Sequence, residues 1–405
     1  MGSGTFRALG HRNFRLYAGG MTVSLAGTWM QQLAQSWLVY RLTHSEWMLG
    51  LTWFCANIPI LLLSPITGLV ADRYPRRRIV LYAQTAAMIQ AVILAILTLT
   101  GHIQVWQVLS LAVVLGIASA FDIPGRQALF VHLVGKEDLV NAISLNSAVF
   151  NSARVIGPPI AGFVVAKLGE GTCFALNALS FLAVIFSLVA MDVVEPPPQG
   201  SSETPLERIA QGFRYAWGTK AIRVLLVTAG AASLAAAPAS ALAPVFAEEI
   251  FHRGAQGLGM LSGALGLGAI LGTLSLAGRR GAKGLHWVIL LSTLGMGGGF
   301  IAYSWSSSFP ISLGIMTFLG TCIFRQNAAN NTAIQTHVED HFRGRVMGLY
   351  SMMVIGMLPV GSLLSGAMAS AIGSRWTTTI GGFASLFAAA FVYFHRRTLQ
   401  TWLDL

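Results

Sequence analysis

Long apolar runs alternate with short polar turns along the whole chain. Residues 79–99 (IVLYAQTAAMIQAVILAILTL) and 176–191 (LNALSFLAVIFSLVAM) approach or reach the roughly 20 apolar residues that cross a bilayer as a helix. When glycine, proline and charged residues are taken as the boundaries of spans, the pattern predicts an all-α integral membrane protein with twelve transmembrane helices in two sets of six. The predicted spans are residues 14–40, 46–71, 79–101, 105–131, 139–167, 172–191, 221–247, 256–278, 285–304, 310–335, 344–370 and 375–395.

The composition supports a membrane location. Charged residues make up 10% of the 405 positions and apolar residues 54%, whereas soluble domains are about one-quarter charged. The net charge of +11 does not indicate nucleic acid, because the basic residues lie in loops between spans and form no patch interleaved with aromatic residues. The cysteines at positions 55, 173 and 322 fall inside spans without paired spacing, so we expect them to serve packing.

The distribution of lysine and arginine predicts the topology. With both termini placed in the cytoplasm, 21 of the 26 basic residues fall in cytoplasmic loops or at cytoplasmic helix ends. Four fall outside and Arg154 lies in mid-span; the outside residues are Arg41, Lys167, Arg253 and Arg375. The first span is too long for a cleaved signal peptide and lacks a small-residue cleavage site. It is therefore expected to remain as a transmembrane helix.

The sequence becomes polar and rich in proline between the two halves. Residues 192–220 contain the polar, proline-rich stretch EPPPQGSSETP, followed by LERIAQGFRYAW. Thr204 and Glu207 form a capping-box pattern around Pro205, which predicts a helix start. The apolar residues of one face are Leu206, Ile209, Phe213 and Trp217. We expect an amphipathic helix on the cytoplasmic membrane surface, which divides the chain into bundles 1–191 and 221–405 joined by the linker 192–220.

The halves resemble each other weakly. A shift of 204 residues places Ala161, Gly162 and Gly169 over Ser365, Gly366 and Gly373, and LVGKEDLVNAISL over HVEDHFRGRVMGL. Parallel repeats of six spans are typical of transporters, whose substrate site lies between the repeats near the middle of the membrane. The predicted fold is therefore two pseudo-symmetric six-helix bundles.

A dense charge cluster, GLVADRYPRRR at residues 68–78, lies between the second and third spans. Positive charge at this position anchors topology, but anchoring requires neither an aspartate nor a glycine at fixed spacing. The cluster resembles the loop motif G-x-x-x-D-R-x-G-R-R of the major facilitator superfamily. The matching residues are Gly68, Asp72, Arg73, Arg76 and Arg77, with Pro75 where the family usually has glycine.

A second stretch resembles the drug and siderophore exporter branch of that superfamily, which includes macrolide efflux proteins and the enterobactin exporter. It comprises FDIPGR at residues 121–126, Asn141 with Ala142, and Arg154 with the pair Gly157 and Pro158. The overall resemblance extends over nearly the whole chain. It implies the twelve-helix fold and transport by alternating access between the two halves.

The superfamily resemblance implies that the loop motif latches the halves together on the cytoplasmic side. Asp72 lies at the C-terminal end of its helix, where the helix dipole disfavours a negative charge, so we expect it to seek a cation or a helix N-terminus near residues 343–345. Asp122 is expected to pair with Arg73 or Arg76. As the acid placed well inside a span, Asp122 is also the candidate for proton coupling, although it could serve the ion pair alone.

Polar residues inside the spans are candidates for the substrate cavity. The first span carries Ser24, Thr28, Gln31 and Gln35 on one helical face. This stripe could face the cavity or join neighbouring helices by hydrogen bonds. Asn57 and Asn151 are further candidates.

Two arginines inside the spans pose a similar choice. Arg154 lies about 15 residues into the fifth span, and Arg325 lies in the tenth span beside Gln326 and Asn327. An arginine within a membrane faces a cavity or finds an acceptor, so each could bind an anionic group of the substrate or bond to neighbouring helices. We include Arg154, Arg325 and Asn327 among the candidate binding residues.

Other chemistries find no support in the sequence. There is no HExxH, GxSxG or Walker pattern, and none of the nine histidines lies in mid-span. We therefore expect no enzymatic activity, metal or cofactor, and transport that is passive or driven by an ion gradient.

These observations together predict a monomeric exporter in the bacterial cytoplasmic membrane. It would move amphipathic small molecules of drug or siderophore type, preferably neutral, zwitterionic or anionic because the candidate cavity residues include two arginines, in exchange for protons. The alternatives are a lysophospholipid flippase of the same fold, a nutrient importer, or a membrane receptor without transport activity.

Overall fold

The computed structural model describes residues 4–135, 137–193, 205–277, 279 and 281–404. Within these ranges, the side chains at positions 4, 5, 64, 65, 68, 69, 71, 72, 205–209 and 277 are outside the description. The described residues form helices joined by short turns, and none of them lies in a β-strand. The all-α prediction is confirmed.

The first half begins with a short 3-10 helix, Gly4–Gly10. Six long helices follow. They are α1 Arg12–Thr43, α2 Glu46–Arg73, α3 Arg76–Leu99, α4 Val105–Val134, α5 Leu139–Leu168 and α6 Glu170–Ala190.

The second half is preceded by a helix of 14 residues, α7 Pro205–Gly218. Nine further helices are α8 Lys220–Ala241, α9 Ala243–Val245, α10 Gly254–Ala277, α11 Leu285–Trp305, α12 Phe309–His337, α13 Asp340–Ile355, α14 Met357–Ile372, α15 Ser374–Phe394 and α16 Arg396–Leu403. A π-helical turn, Phe246–Ile250, continues from α9.

Ten helical segments among the described residues are long and apolar enough to cross a membrane. The helices α1 and α12 are not among them because they are more polar, although they contain 32 and 29 residues. At 1.5 Å per residue both exceed the roughly 30 Å of a bilayer core. The chain therefore has a twelve-span architecture in which the first and tenth spans are the most polar.

Two predicted spans are interrupted. The span predicted at 344–370 consists of α13 and α14, which meet at Gly356. Pro359 has no N–H to donate to the carbonyl of Ile355, so the helical hydrogen-bond pattern is interrupted at this point. The span predicted at 221–247 likewise breaks at Leu242, just before Pro244.

The chain packs into two compact units, residues 1–43 with 55–202 and residues 44–54 with 203–405. Each unit has its own apolar core. The core of the first unit includes Phe14, Tyr17, Leu129, Phe181 and Val184. That of the second includes Ile222, Ile289, Ala333, Val346 and Val392.

The weak sequence repeat has a structural counterpart. Gly169 and Gly373 both adopt positive φ, at 81° and 85°, and each immediately precedes a helix. His44 and His252, which precede α2 and α10, also share the left-handed conformation. Left-handed backbone is uncommon for residues other than glycine, so the shared conformation indicates two related helix-to-helix connections.

The predicted surface helix is present as α7. Phe213 and Trp217 are exposed and their rings stack at 5.0 Å, as expected for a face directed at a membrane. On another side of α7, Tyr215 stacks at 4.2 Å on Phe342 near the start of α13. The Thr204–Glu207 capping box lies outside the described residues.

Candidate functional site: a buried ion pair on α4

The candidate site is built around Asp122, a buried carboxylate on α4 that is 8% exposed. Its Oδ2 lies 2.8 Å from Nε of Arg126, one helical turn further along the same helix. Its Oδ1 accepts a hydrogen bond of 2.9 Å from Nε2 of Gln84 on α3. Because both carboxylate oxygens have partners, the charge is compensated at low solvent exposure.

Arg126 is the partner of Asp122 in the structure, so the pairing expected with Arg73 or Arg76 was wrong. Arg76 contacts Nε2 of His132 at 3.2 Å, and Arg77 donates hydrogen bonds to the backbone carbonyls of α6. The spacing i, i+4 places Asp122 and Arg126 on one helical face, and this signal was available in FDIPGR. Arg76 and Arg77 are spaced as the motif requires, but they contact His132 and α6 carbonyls instead of Asp122.

Helices α1 and α3 help to enclose the pair. Arg126 approaches Sδ of Met21 on α1 at 3.9 Å, and the Tyr17 hydroxyl bonds to Asn146 Oδ1 of α5 at 3.4 Å. Gly125 allows α3 to approach closely, because a Cβ at this position would lie 3.0 Å from Cγ2 of Val80. Tyr17, Gln84 and Arg126 were not among the residues predicted from the sequence.

The remaining motif residues lie at the end of α2 and the start of α3. Gly68 and Asp72 belong to the last turns of α2, and their side chains are outside the description. Arg73 is exposed, whereas Arg76 and Arg77 are half-buried. The latch expected between Asp72 and residues 343–345 therefore stays a prediction.

The polar stripe of α1 is largely used within the first unit. Gln31 is 1% exposed; it donates to Gln90 Oε1 at 3.0 Å and accepts from Asn177 Nδ2 at 2.8 Å. Asn177 also bonds to Ser180. In this structure Gln31 joins α1 to α3 and α6, so the alternative of hydrogen bonding between helices describes it better than a cavity position.

The other α1 candidates are Ser24 and Gln35, which are buried, and Thr28, which is half-buried. The Thr28 hydroxyl donates to the Ser24 carbonyl one turn earlier. Of the asparagines, Asn57 is half-buried and Asn151 donates to the Ser147 carbonyl at 2.8 Å. Their roles in substrate binding stay predictions.

Arg154 is half-buried between two aromatic rings. Its guanidinium carbon lies 5.0 Å from the ring centroid of Trp29 on α1 and 5.1 Å from that of Phe150, one turn earlier on α5. Cation–π contacts of this length favour a positive charge away from water. The sequence identified Arg154 but not the rings that hold it.

The polar residues of α12 show a different pattern. Arg325 and Asn327 are half-buried, and the Asn327 carbonyl accepts a hydrogen bond of 2.8 Å from the Tyr350 hydroxyl. Gln326 and Asn330 are fully buried, and their side-chain atoms have no hydrogen-bond partner among the described residues. With the 204-residue shift they occupy the positions of Asp122 and Arg126, so a neutral amide pair replaces the ion pair in the second half.

Comparison with curated proteins gives relatives over most of the chain. It is 29% identical to the staphyloferrin A transporter of Staphylococcus aureus, over 93% of this chain and 95% of that protein. It is 26% identical to the multidrug efflux pump Tap of Mycolicibacterium fortuitum, over 87% and 88%. It is 24% identical to the enterobactin exporter EntS of Escherichia coli, over 93% and 90%.

Solved structures share the fold at low identity. A bacterial homologue of the human lysosomal transporter Spinster superposes with a TM-score of 0.76 at 15% identity, covering 99% of both chains. A bacterial homologue of the iron transporter ferroportin gives 0.71 at 16% identity, covering 97% of this chain and 99% of the other.

The family model described as transmembrane secretion effector matches residues 3–403. This range contains both six-helix halves and all twelve predicted spans. The chain is therefore a multi-pass membrane transporter that belongs to the transmembrane secretion effector family of the major facilitator superfamily.

Proposed function

We propose that this protein exports amphipathic small molecules from the bacterial cytoplasm in exchange for protons, by alternating access between its two halves. The observation that carries the coupling part is the ion pair of Asp122 and Arg126 inside the fourth span. The export part is supported by the relatives, which include a siderophore transporter, a multidrug efflux pump and a siderophore exporter. We place the protein in the cytoplasmic membrane as a monomer with both termini inside.

The ion pair suits proton coupling because one protonation changes two groups. A carboxylate within a membrane span is costly unless it is paired, and such residues commonly mark proton relays. Protonation of Asp122 would remove the counter-ion of Arg126, while Gln84 could still bond to the neutral acid. Arg126 would then seek another acceptor, and a charge change of this kind can bias a two-state element.

Two half-buried arginines support a preference for particular substrates. Arg154 and Arg325 lie in spans of different halves, and either would favour neutral, zwitterionic or anionic groups over cations. We propose Ser24, Thr28, Gln35, Asn57, Asn151 and Asn327 as further binding residues, and the loop motif from Gly68 to Arg77 as the gate. Gln31 is omitted because its amide is used in packing.

Transport by the purified protein in liposomes tests this proposal. Substrate should be carried against its own gradient when a pH gradient is imposed, and a protonophore should abolish the accumulation. The substrate panel contains a carboxylate siderophore, a neutral macrolide, a cationic dye and a fluorescent lysophospholipid. We expect accumulation of the first two to exceed that of the dye by about tenfold, which corresponds to about 1.4 kcal/mol of discrimination.

Each other result would point to a different function. Movement of the lysophospholipid alone would favour the flippase. Uptake in the opposite direction would favour an importer, and absence of gradient-dependent flux for every compound would contradict the proposal. Liposomes without protein control for passive leakage of the amphipathic compounds.

A further inference from the structure

A groove on the surface of the first unit adjoins the loop motif, which contributes Val70, Tyr74 and Pro75 to its lining. Its volume is about 640 Å³, and it is bounded by the ends of α2 and α3 and by the middle of α4. The lining residues nearest the loop are Val70, Tyr74, Pro75, Arg78, Ile79 and Tyr82. The remaining lining residues are all apolar: Ala83, Ala86, Val114, Ile117, Ala118 and Phe121. A transmembrane protein with such a groove presents it to lipid acyl chains rather than to water.

The groove is polar at one end and apolar at the other. Arg78, Tyr82 and Ala86 follow each other at intervals of four residues on α3 and therefore lie on one helical face. From Arg78 to Ala86 the stripe covers about 12 Å along the helix axis. Arg78 belongs to the first turn of α3, so the charged end is at the edge of the membrane and the apolar end points towards its centre.

Arg78 differs from its neighbours in the loop motif. Arg77 is engaged by backbone carbonyls of α6 and Arg76 by His132. Arg78 is exposed and has no ion pair or side-chain hydrogen bond with the residues that the structure describes. No acidic side chain is among the lining residues of the groove, so its cation is available to an anion from the surroundings.

The aromatic residues of the groove also favour a lipid. Tyr74 and Tyr82 are 61% and 71% exposed, and tyrosine is enriched where membrane proteins meet the headgroup region. Val114 and Ile117 on α4 are about two-fifths exposed, which leaves an apolar floor for a hydrocarbon chain. A single amphiphile with a negative head and an acyl tail would satisfy both ends of the groove.

We infer that this groove binds an anionic phospholipid, with its phosphate at Arg78 and one acyl chain along Tyr82, Ala86 and Ile117. The bilayer supplies such a molecule at high local concentration, which favours it over a dilute transported amphiphile as the occupant. A cation near an anionic membrane surface contributes about 1 kcal/mol, which corresponds to about a fivefold preference for anionic over zwitterionic lipid. None of the residues that we propose for substrate binding lines the groove.

Native mass spectrometry of the purified full chain tests the inference. The protein is equilibrated with equal amounts of phosphatidylglycerol and phosphatidylcholine, and the bound lipids are counted. We expect about a fivefold preference for phosphatidylglycerol in the wild type and none in Arg78→Gln. Arg12→Gln removes the same charge from another exposed position in the same unit and should keep the preference.

A second variant tests the apolar part of the site. Ala86→Phe narrows the groove without changing charge, and it should lower the occupancy of both lipids while the chain still elutes as a folded monodisperse species. Equal lipid preference in Arg78→Gln and the wild type would overturn the proposal, as would undiminished occupancy in Ala86→Phe. Binding of detergent in place of either lipid would also count against it. Because the measurement is lipid binding, its outcome is separate from any result of the transport assays.

Discussion

Asp122 and Arg126 form a charge pair in which both members belong to one helix. The i, i+4 geometry holds their distance largely fixed when helices move relative to one another. A pair made between Asp122 and a loop arginine could be broken by movement of the loop alone. Breaking the pair observed here requires protonation or rotation of a side chain, which suits a group that responds to protons.

The network around Gln31 leads to a prediction about packing. Gln31→Leu should destabilise the protein by about 1–3 kcal/mol, because it leaves Gln90 and Asn177 buried without their partner. Thermal unfolding in detergent measures this loss. Thr28→Val is the matched control on the same helix, since the Thr28 hydroxyl bonds only within α1, and it should change stability little.

A transport measurement distinguishes a packing role of Gln31 from contact with the substrate. If Gln31 serves packing, residual folded Gln31→Leu protein should keep the substrate preference of the wild type. Normal stability together with altered substrate preference would instead indicate that Gln31 contacts substrate in the cavity.

The sequence could identify polar residues inside spans but not their partners. Gln31 and Asn151 are both uncharged amides in predicted spans, yet one joins three helices and the other bonds to its own helix. The side-chain amide is the same group in each case, and the neighbours that decide the role come from distant segments. Arg126 is the exception, since its partner was four residues away and could have been found.

At the scale of helices, polarity accounts for the two spans that hydropathy alone would miss. The helix α1 carries the polar stripe and α12 carries the buried amides Gln326 and Asn330, and this content lowers their hydropathy. The sequence nevertheless predicts both spans, because the length of each segment and its boundary residues add to its composition. The break between α13 and α14 was missed, although Gly356 and Pro359 together indicate an interruption.

Close packing of α10 against α12 gives a prediction for a helix pair. A Cβ on Gly320 would clash with the backbone of Leu265 and lie 3.1 Å from Cα of Gly268. Gly320→Ala should therefore destabilise the protein by about 1–3 kcal/mol. Gly314, on the same helix, has open space around it, so Gly314→Ala should be neutral or stabilising by up to about 1 kcal/mol through helix propensity.

The two alanine variants are compared by thermal unfolding in one detergent. The midpoint should fall for Gly320→Ala and stay equal or rise for Gly314→Ala, because the substitution is identical and only the surroundings differ. A midpoint for Gly320→Ala equal to or above that of Gly314→Ala would show that the helices can separate at no cost. That result would contradict the close approach described here.

At the scale of the molecule, the repeat is visible in both sequence and backbone, but its chemistry is unequal. Gly169 and Gly373 have the same conformation, whereas Asp122 and Arg126 correspond to Gln326 and Asn330. The fold was predictable because apolar runs, turns and positive charge report directly on membrane insertion. The unequal chemistry of the halves was not predicted, since it depends on which buried groups find partners.

If the protein is coupled to protons as we propose, this inequality leads us to expect the coupling group in the first half. Of the two matching positions on α4 and α12, only the first unit presents a titratable pair. A substitution that removes the charge of Asp122 should therefore uncouple transport, with no equivalent group on α12 to replace it.

The most direct test records substrate-driven proton movement in liposomes that contain a pH-sensitive dye. Addition of an exported substrate should drive a counterflow of protons in the wild type. Asp122→Asn should reduce this proton flux at least about tenfold, equivalent to about 1.4 kcal/mol of coupling, while retaining exchange of substrate for substrate. Asp192→Asn is the matched control, because Asp192 is exposed and bonds to Asn13 through its backbone, and it should behave as the wild type. Proton flux in Asp122→Asn equal to that of the wild type would contradict the account.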